Sequence, residues 1–389
     1  MLSDKTISAI RARFPIFRRA IYLNSCSQGA LSDAVEKSML ELLEMWHQHG
    51  SPWDLWIEHY EIARKEFADL IGAEADEIAI LPSVSAGVSS LATAFDFDER
   101  KTVLMGEFEF PTMGHIWMAQ QRRGANIRFL EAVNGRIPAA KYADNIDGDT
   151  LIVPVTGVCF SNGFRSEIEG IVAAAHANGS YVLLDDYQDC GTRPRNVKAL
   201  DVDFYAAGNL KYLLGAAGLA FLYVKKSLIS SLRPAVSGWF AQQNPFDFAT
   251  QRFEPATTAR RFESGTPQIP SIYLGLAGVR LLREIGLDKV AEHVKRLTVE
   301  LRHGAQELGI VVKTPSDSVG PLTVLQCKDA ATLVTYLSRE DIICSSRHAG
   351  LRISFHVYNT TEDVKVVLKA LEKHLDLLSL ETQPAGTMI

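Results

Sequence analysis

No stretch of this 389-residue sequence marks it for a membrane, a nucleic acid or an oxidising compartment. No basic tract is longer than a Lys-Lys or Arg-Arg pair, and the net charge is −6, so a basic footprint for nucleic acid or anionic lipid is lacking. The longest apolar run, Tyr212 to Val224, falls well short of the ~20 residues a spanning helix needs. The opening stretch MLSDKTISAIRARFPIF mixes charge with short apolar groups, so no secretory signal is expected. Cysteine is scarce: Cys26, Cys159, Cys190, Cys327 and Cys344 are odd in number, scattered, and form no Cys-x-x-Cys pair. That argues against a disulfide scaffold or a metal site and for a reducing, cytoplasmic setting. Internal repeats and low-complexity tracts are absent.

What is present is an ordinary globular balance, 47% hydrophobic and 22% charged, in a chain long enough for a large domain and a smaller one. Short apolar runs read as strands: EIAIL (77–81), TVLMG (102–106), NIRFL (126–130), TLIVPV (150–155), YVLLD (181–185), VDFYA (202–206) and LAFLYV (219–224). Helical patterns over 85–95, 111–123 and 167–178 lie between them. Continuous apolar strands separated by helices read as βαβ units, hence a mostly parallel sheet covered on both faces. The segment 233–261 has no clear period and reads as a connector or functional loop. A long helix over 269–308 follows, then short strands and helices of an α+β unit ending in a helix near 361–377. The tail SLETQPAGTMI is expected to fray.

In such sheets ligands lie beyond the carboxyl ends of the strands, and three of those ends carry polar residues. EIAIL runs into PSVSAG, where a helix opens at about Ser85; exposed N–H groups flanked by hydroxyls suit a phosphate, although serine is also an ordinary cap. YVLLD runs into Asp185 and Asp186, with Gln188 beyond. A carboxylate there needs a cationic or hydrogen-bonding partner, such as a protonated ring nitrogen, or it caps the following turn. VDFYAAGN leads to Lys211, 26 residues after Asp185, in a segment otherwise of small, apolar and aromatic residues. A phosphate cradle, an acid and a buried lysine together describe a pyridoxal 5'-phosphate site.

The motifs LLDDYQDCGTRPRNV, AAGNLKYLLGAAGLAFLYV, RRFESGTP and LRISFHVYNTTEDV occur in that order over nearly the whole chain. In them the sequence resembles the class V aminotransferase family of fold-type I pyridoxal phosphate enzymes, which includes cysteine desulfurases, selenocysteine lyases, kynureninase and isopenicillin N epimerase-like proteins. The resemblance implies an α/β fold: a large domain (21–264) with a mostly parallel seven-stranded sheet sandwiched by helices, and a smaller α+β domain (1–20 and 265–389). It implies that Lys211 forms the Schiff base, that Asp185 faces the pyridine nitrogen and that Gln188 bonds the ring hydroxyl. Ser85 and Ala86 fall at the phosphate, and Phe110 where an aromatic ring stacks on the cofactor. Thr266 matches a residue reaching the phosphate of the partner subunit, implying a homodimer with shared active sites. Arg352 matches the clamp for the carboxylate of a small amino-acid substrate.

There are departures. Leu210 stands where many members have His, Gly208 where many have Ser, so that one phosphate hydroxyl is missing, and Phe160 where Asn is frequent. Desulfurases carry a nucleophilic cysteine on a loop before the carboxylate-binding arginine; here only Cys344 is near, expected on a strand as a small buried hydrophobe. The reading is therefore a transaminase first, with a carbon–sulfur β-lyase or an amino-acid epimerase as alternatives. His47 and His49, at i, i+2, share no helix face; Trp46, Trp53 and Trp56 wall an entrance or pack in an interface. Arg260 and Arg261 are expected in surface salt bridges, with an active-site contact as the other possibility, and the loop 237–248 is a candidate for substrate selection.

Overall fold

The computed structural model describes residues 2–348 and 350–381. Twelve strands are present among them. Strand β1 is Ile21–Tyr22, β2 Ile78–Leu81, β3 Thr102–Gly106, β4 Asn126–Leu130, β5 Thr150–Thr156 and β6 Tyr181–Asp185. Then come β7 Phe204–Gly208, β8 Ala220–Val224, β9 Leu322–Gln326, β10 Ile342–Ile343, β11 Ser345–Arg347 and β12 Gly350–Ser354. Seven form one sheet in the order β2-β8-β7-β6-β5-β3-β4, in which only β8 runs antiparallel to its neighbours. This is the mostly parallel seven-stranded sheet of the fold-type I expectation. Its inner strands are buried at every residue but Tyr181 of β6, and one cluster of apolar side chains forms on each face of the sheet, as helices on both sides require. The three-stranded sheet β11-β12-β9 is antiparallel and is joined to the N-terminal segment by the pairing of β1 with β10.

Four features differ from the sequence reading. The run VDFYA begins its pairing two residues later, at Phe204, because Asp203 turns its carboxylate to the N–H of Val182 (2.8 Å) and closes the strand start instead. The helix over 269–308 is two, Ile269–Ile285 and Leu287–Glu307, broken at Gly286, whose φ of 91° no helix accepts. The tail does not fray at its start: the N–H of Ser379 reaches the carbonyl of Gln326 and that of Glu381 the carbonyl of Gly309. The remainder of the tail, 382–389, lies outside the described residues. Among the described residues Arg260 and Arg261 make no surface ion pair either. Arg261 is buried and donates to the carbonyls of Ala256, Ile229 and Leu232, while Arg260 reaches that of Phe240, which fixes the exit of the 233–261 segment. That segment is a succession of 3-10 turns, at Trp239–Ala241, Pro245–Asp247 and Ala259–Phe262.

One buried ion pair joins this exit to the large sheet. Arg64, in the helix Trp53–Ile71, meets Glu263 at 2.6 Å with both side chains excluded from water. Glu263 also accepts the N–H of Ile80 in β2 (2.9 Å) and the hydroxyl of Tyr60, and Arg64 donates to the carbonyl of Ile78 (2.6 Å). Glu263→Ala leaves Arg64 only its partly exposed ion-pair partner Glu61 (2.9 Å) and takes the acceptor from Ile80 and Tyr60, so unfolding in urea should show a loss of about 3–5 kcal/mol; a loss below about 1 kcal/mol would mean that water reaches the pair.

Candidate active site

Parallel pairing of β5, β6 and β7 brings three strand ends together, with Thr156 in register with Asp185 and Asp185 with Ala206. Because β8 runs the other way, its beginning, not its end, arrives at the same edge, contributing Ala217, Gly218 and Leu219. The helix Val84–Thr93 opens there after β2. Between them lies a cavity of about 310 Å³, walled by Phe110, Phe160, Tyr187 and Leu210 and carrying Asp185, Gln188 and Lys211.

Of the residues singled out by sequence, Lys211, Asp185, Gln188, Ser85 and Phe110 line this cavity. Ala86 does not, and its N–H is occupied by the capping oxygen of Ser83 (3.1 Å). The open donors of the helix start are thus one turn position earlier, at Val84 and Ser85; the hydroxyl of Ser85 sits 3.2 Å from that of Thr112. Thr266 is exposed and outside the cavity of its own chain. Arg352 is buried behind Phe160, with Nη2 on the hydroxyls of Ser27 (2.7 Å) and Ser345 (2.9 Å) and Nε without an acceptor among the described residues. Cys344 falls between β10 and β11, buried, its thiol pushed up to about 12 by burial. None of the loop 237–248 lines the cavity. Trp239 instead extends the edge-on chain of Trp46, Trp56 and Trp53.

Charge in this cavity is expensive. Asp185 is buried, its carboxylate taking among the described residues only the N–H of Tyr187 at 3.0 Å, and burial pushes its carboxyl up to about 6 against the pull of the Lys211 ammonium. Burial lowers Lys211 to about 8; Asp185 opposes the drop, and the positive charges of Arg352 and Arg347 deepen it. The amine lies 4.4 Å from the ring centre of Tyr187 and 5.7 Å from that of Phe110. The segment carrying it is clamped by backbone: any side chain at Gly29 would strike the carbonyl of Lys211, and any at Gly278 that of Leu213. His356 steadies the next residue. Its Nδ1 takes the N–H of Val357, so Nε2 donates to the carbonyl of Tyr212 at 2.8 Å, and burial keeps the ring neutral.

Sequence reasoning missed two groups. Glu109, between two phenylalanines, is buried with Oε1 on the N–H of Thr156 (2.7 Å) and Oε2 without a partner among the described residues; burial and then the charge of Asp185 push its carboxyl up to about 8. Tyr187 follows the two aspartates as part of the cavity wall. The clue for both was local: a carboxylate set between the aromatic residues of EFEFP, and an aromatic ring set among the polar residues of DDYQD.

The profile of the family described as aminotransferase class-V matches residues 40–367. The chain belongs to that family. It is 34% identical over 356 residues to "Uncharacterized aminotransferase YcbU" of Bacillus subtilis, covering 91% of this chain and 94% of that one. It is 25% identical to a kynureninase of Shouchella clausii over 94% of this chain and 91% of the relative. A cysteine desulfurase from Thermococcus onnurineus NA1 shares the fold, with a TM-score of 0.86 at 22% identity over 97% of this chain and all of that one.

Class V enzymes work with pyridoxal 5'-phosphate, and so does this chain. The cavity suits that group: Asp185 lacks the cationic donor that a protonated ring nitrogen supplies, the Oε1 of Gln188 is buried without a donor, and the helix start leaves N–H groups open. Because burial lowers Lys211 and Asp185 holds it up, the cofactor-free protein should react with an amine reagent in a pH profile rising through about 8. Asp185→Asn should move that midpoint lower; a midpoint near 10.5, or an upward move, would contradict the buried pair.

Proposed function

We propose that the chain is an aminotransferase for a small α-amino acid, acting in the cytoplasm as a homodimer. Lys211 would hold the cofactor through its amine and carry the substrate's α-proton. Asp185 would pair with the ring nitrogen, Gln188 with the ring hydroxyl, and Phe110 would cover the ring; the helix start at Ser83 to Ser85 would hold the phosphate, with Ala86 behind it. When bound, pyridoxal 5'-phosphate supplies the electron sink and accepts the amino group. Arg352 would take the substrate carboxylate, a role supported by its acceptor-free Nε–H.

The observation carrying transamination is the poverty of acid–base groups. Asp185, Tyr187 and Lys211 are the titratable side chains on the cavity wall, and of them Lys211 alone is an amine near its neutral form. Transamination needs one proton moved between two carbons, which a single base performs. Persulfide chemistry also needs a thiolate, and the buried, raised thiol of Cys344 does not provide one.

The dimer is supported by the exposure of Trp46 (53%) and Phe248 (71%), and it would give Thr266 a partner's phosphate to reach. The division into a larger unit, 21–264, and a smaller one, 1–20 with 265–389, is supported by the separation of the seven-stranded sheet from the three-stranded one. The helix Ile269–Ile285 nevertheless packs on the larger unit's helices Asp33–His49 and Trp53–Ile71. The cytoplasmic assignment rests on five cysteines that are all free and buried.

Cofactor-loaded protein mixed with amino acids and no acceptor should yield one oxo acid per site and then stop, and Lys211→Ala should lower turnover with acceptor at least about 10²-fold. Continuous release of ammonia with pyruvate would make the enzyme a β-lyase, and D-amino acid without oxo acid an epimerase. Light scattering should give twice the 42.9 kDa of one chain, and Thr266→Ala should raise the cofactor's dissociation constant; a monomer that retains cofactor would remove the shared site.

A further inference from the structure

Gly208, the last residue of β7, has no side chain, and the space beside it is filled. A Cβ built there would fall inside the atoms Cζ, Cε2 and Oη of Tyr187. The phenol of Tyr187, which leaves the chain just after Asp185, is therefore folded across the end of β7 with its oxygen where a small hydroxyl side chain on Gly208 would have put one. This places it on the wall that also carries Ser83, Ser85 and Thr112. The backbone of Leu210 lies near the phenol oxygen, whose own O–H remains to donate. Among the described residues that hydrogen meets no acceptor, and burial keeps the phenol protonated, its pKa pushed up to about 12.

A neutral O–H lining the same cavity as the open N–H groups of a helix start makes up the donor set of an oxyanion site. We propose that Tyr187 is a binding residue for the cofactor phosphate, its phenol supplying from the loop after β6 the hydroxyl that Gly208 cannot supply from β7. This deepens the reading of the site given above and rests on it. Gly208 and Tyr187 then form one unit: the glycine makes room for the ring, and the ring replaces the side chain that the glycine lacks. The ring also faces the Lys211 amine at 4.4 Å, so the same residue spans from the phosphate end to the amine.

The test is titration of cofactor-free protein, wild type and Tyr187→Phe, with pyridoxal 5'-phosphate and with pyridoxal, followed by absorbance and by quenching of tryptophan fluorescence. Phenylalanine keeps the ring against Gly208 and deletes only the hydroxyl. Binding of pyridoxal 5'-phosphate should weaken about tenfold to a hundredfold, while that of pyridoxal stays within about twofold. Gly208→Ser alone should also weaken binding, since serine and the Tyr187 ring compete for one space, whereas Gly208→Ser with Tyr187→Ala should recover most of the loss. Equal weakening for both ligands would assign Tyr187 to the ring or the fold and overturn the proposal, as would no weakening for either. A wild-type protein that binds neither ligand would fail the reading of the site itself.

Discussion

A carboxylate and an amine are held together where little water can reach them, and the rest of the site is arranged around that constraint. Burial drives Asp185 up to about 6 and Lys211 down to about 8, and each restrains the other, so both sit near the point where a proton is cheap to move. The arrangement needs β6 and β7 side by side and parallel, and it needs few other charges nearby. The replacements at Phe160 and Leu210 then read as one pattern: polar groups are withdrawn from the walls, and what charge remains acts at shorter effective screening. Glu109 obeys the same rule. The charge of Asp185 adds to the burial that raises it, and together they keep it uncharged near neutrality.

A second set of buried charges serves position, not chemistry. Arg64 and Glu263 are far along the chain from each other, but they close a ring with Tyr60, Ile78 and Ile80 that fixes the start of β2 and the exit of the irregular segment together. Arg261 completes the job by spending its guanidinium on three main-chain carbonyls. The outcome is that residues 264–266 leave the large sheet at a defined point, although nearly thirty residues without a regular element precede them. An isolated pair of this kind adds little stability by itself, since desolvation offsets most of the attraction; what it adds is a unique path for the chain.

Much of this was legible in the residue order. Strands β3, β4 and β6 match their apolar runs end to end; β3 and β6 do so because buried parallel strands are written as continuous apolar residues between turns, while the edge strand β4 keeps Asn126 and Arg128 among its apolar residues. Lys211, Asp185 and Gln188 stand out as polar residues in apolar surroundings, and the structure gathers them into one cavity. What stayed hidden depended on contacts across the chain. Asp203 looks like part of a strand until its carboxylate finds Val182; Gly286 looks like a tolerated helix glycine until its φ is known. Tyr187 reads as one more aromatic residue, since nothing in one dimension says that its ring lies where Gly208 has no side chain. Arg260 and Arg261 are charged and so read as surface residues, whereas the carbonyls they satisfy lie up to 32 residues away.

The glycine clamp around Lys211 bears on when the site comes into being. Main chain from Gly29 and from Gly278 presses directly on the backbone of residues 211–213, so the segment reaches its final path only after regions some 250 residues apart have both docked on it. Such a segment has no local way to open. Its amide hydrogens should exchange with solvent by the same global event that unfolds the sheet, and not by the small fluctuations that loosen a surface loop. Lys211 therefore belongs to a part of the molecule that opens only together with the whole.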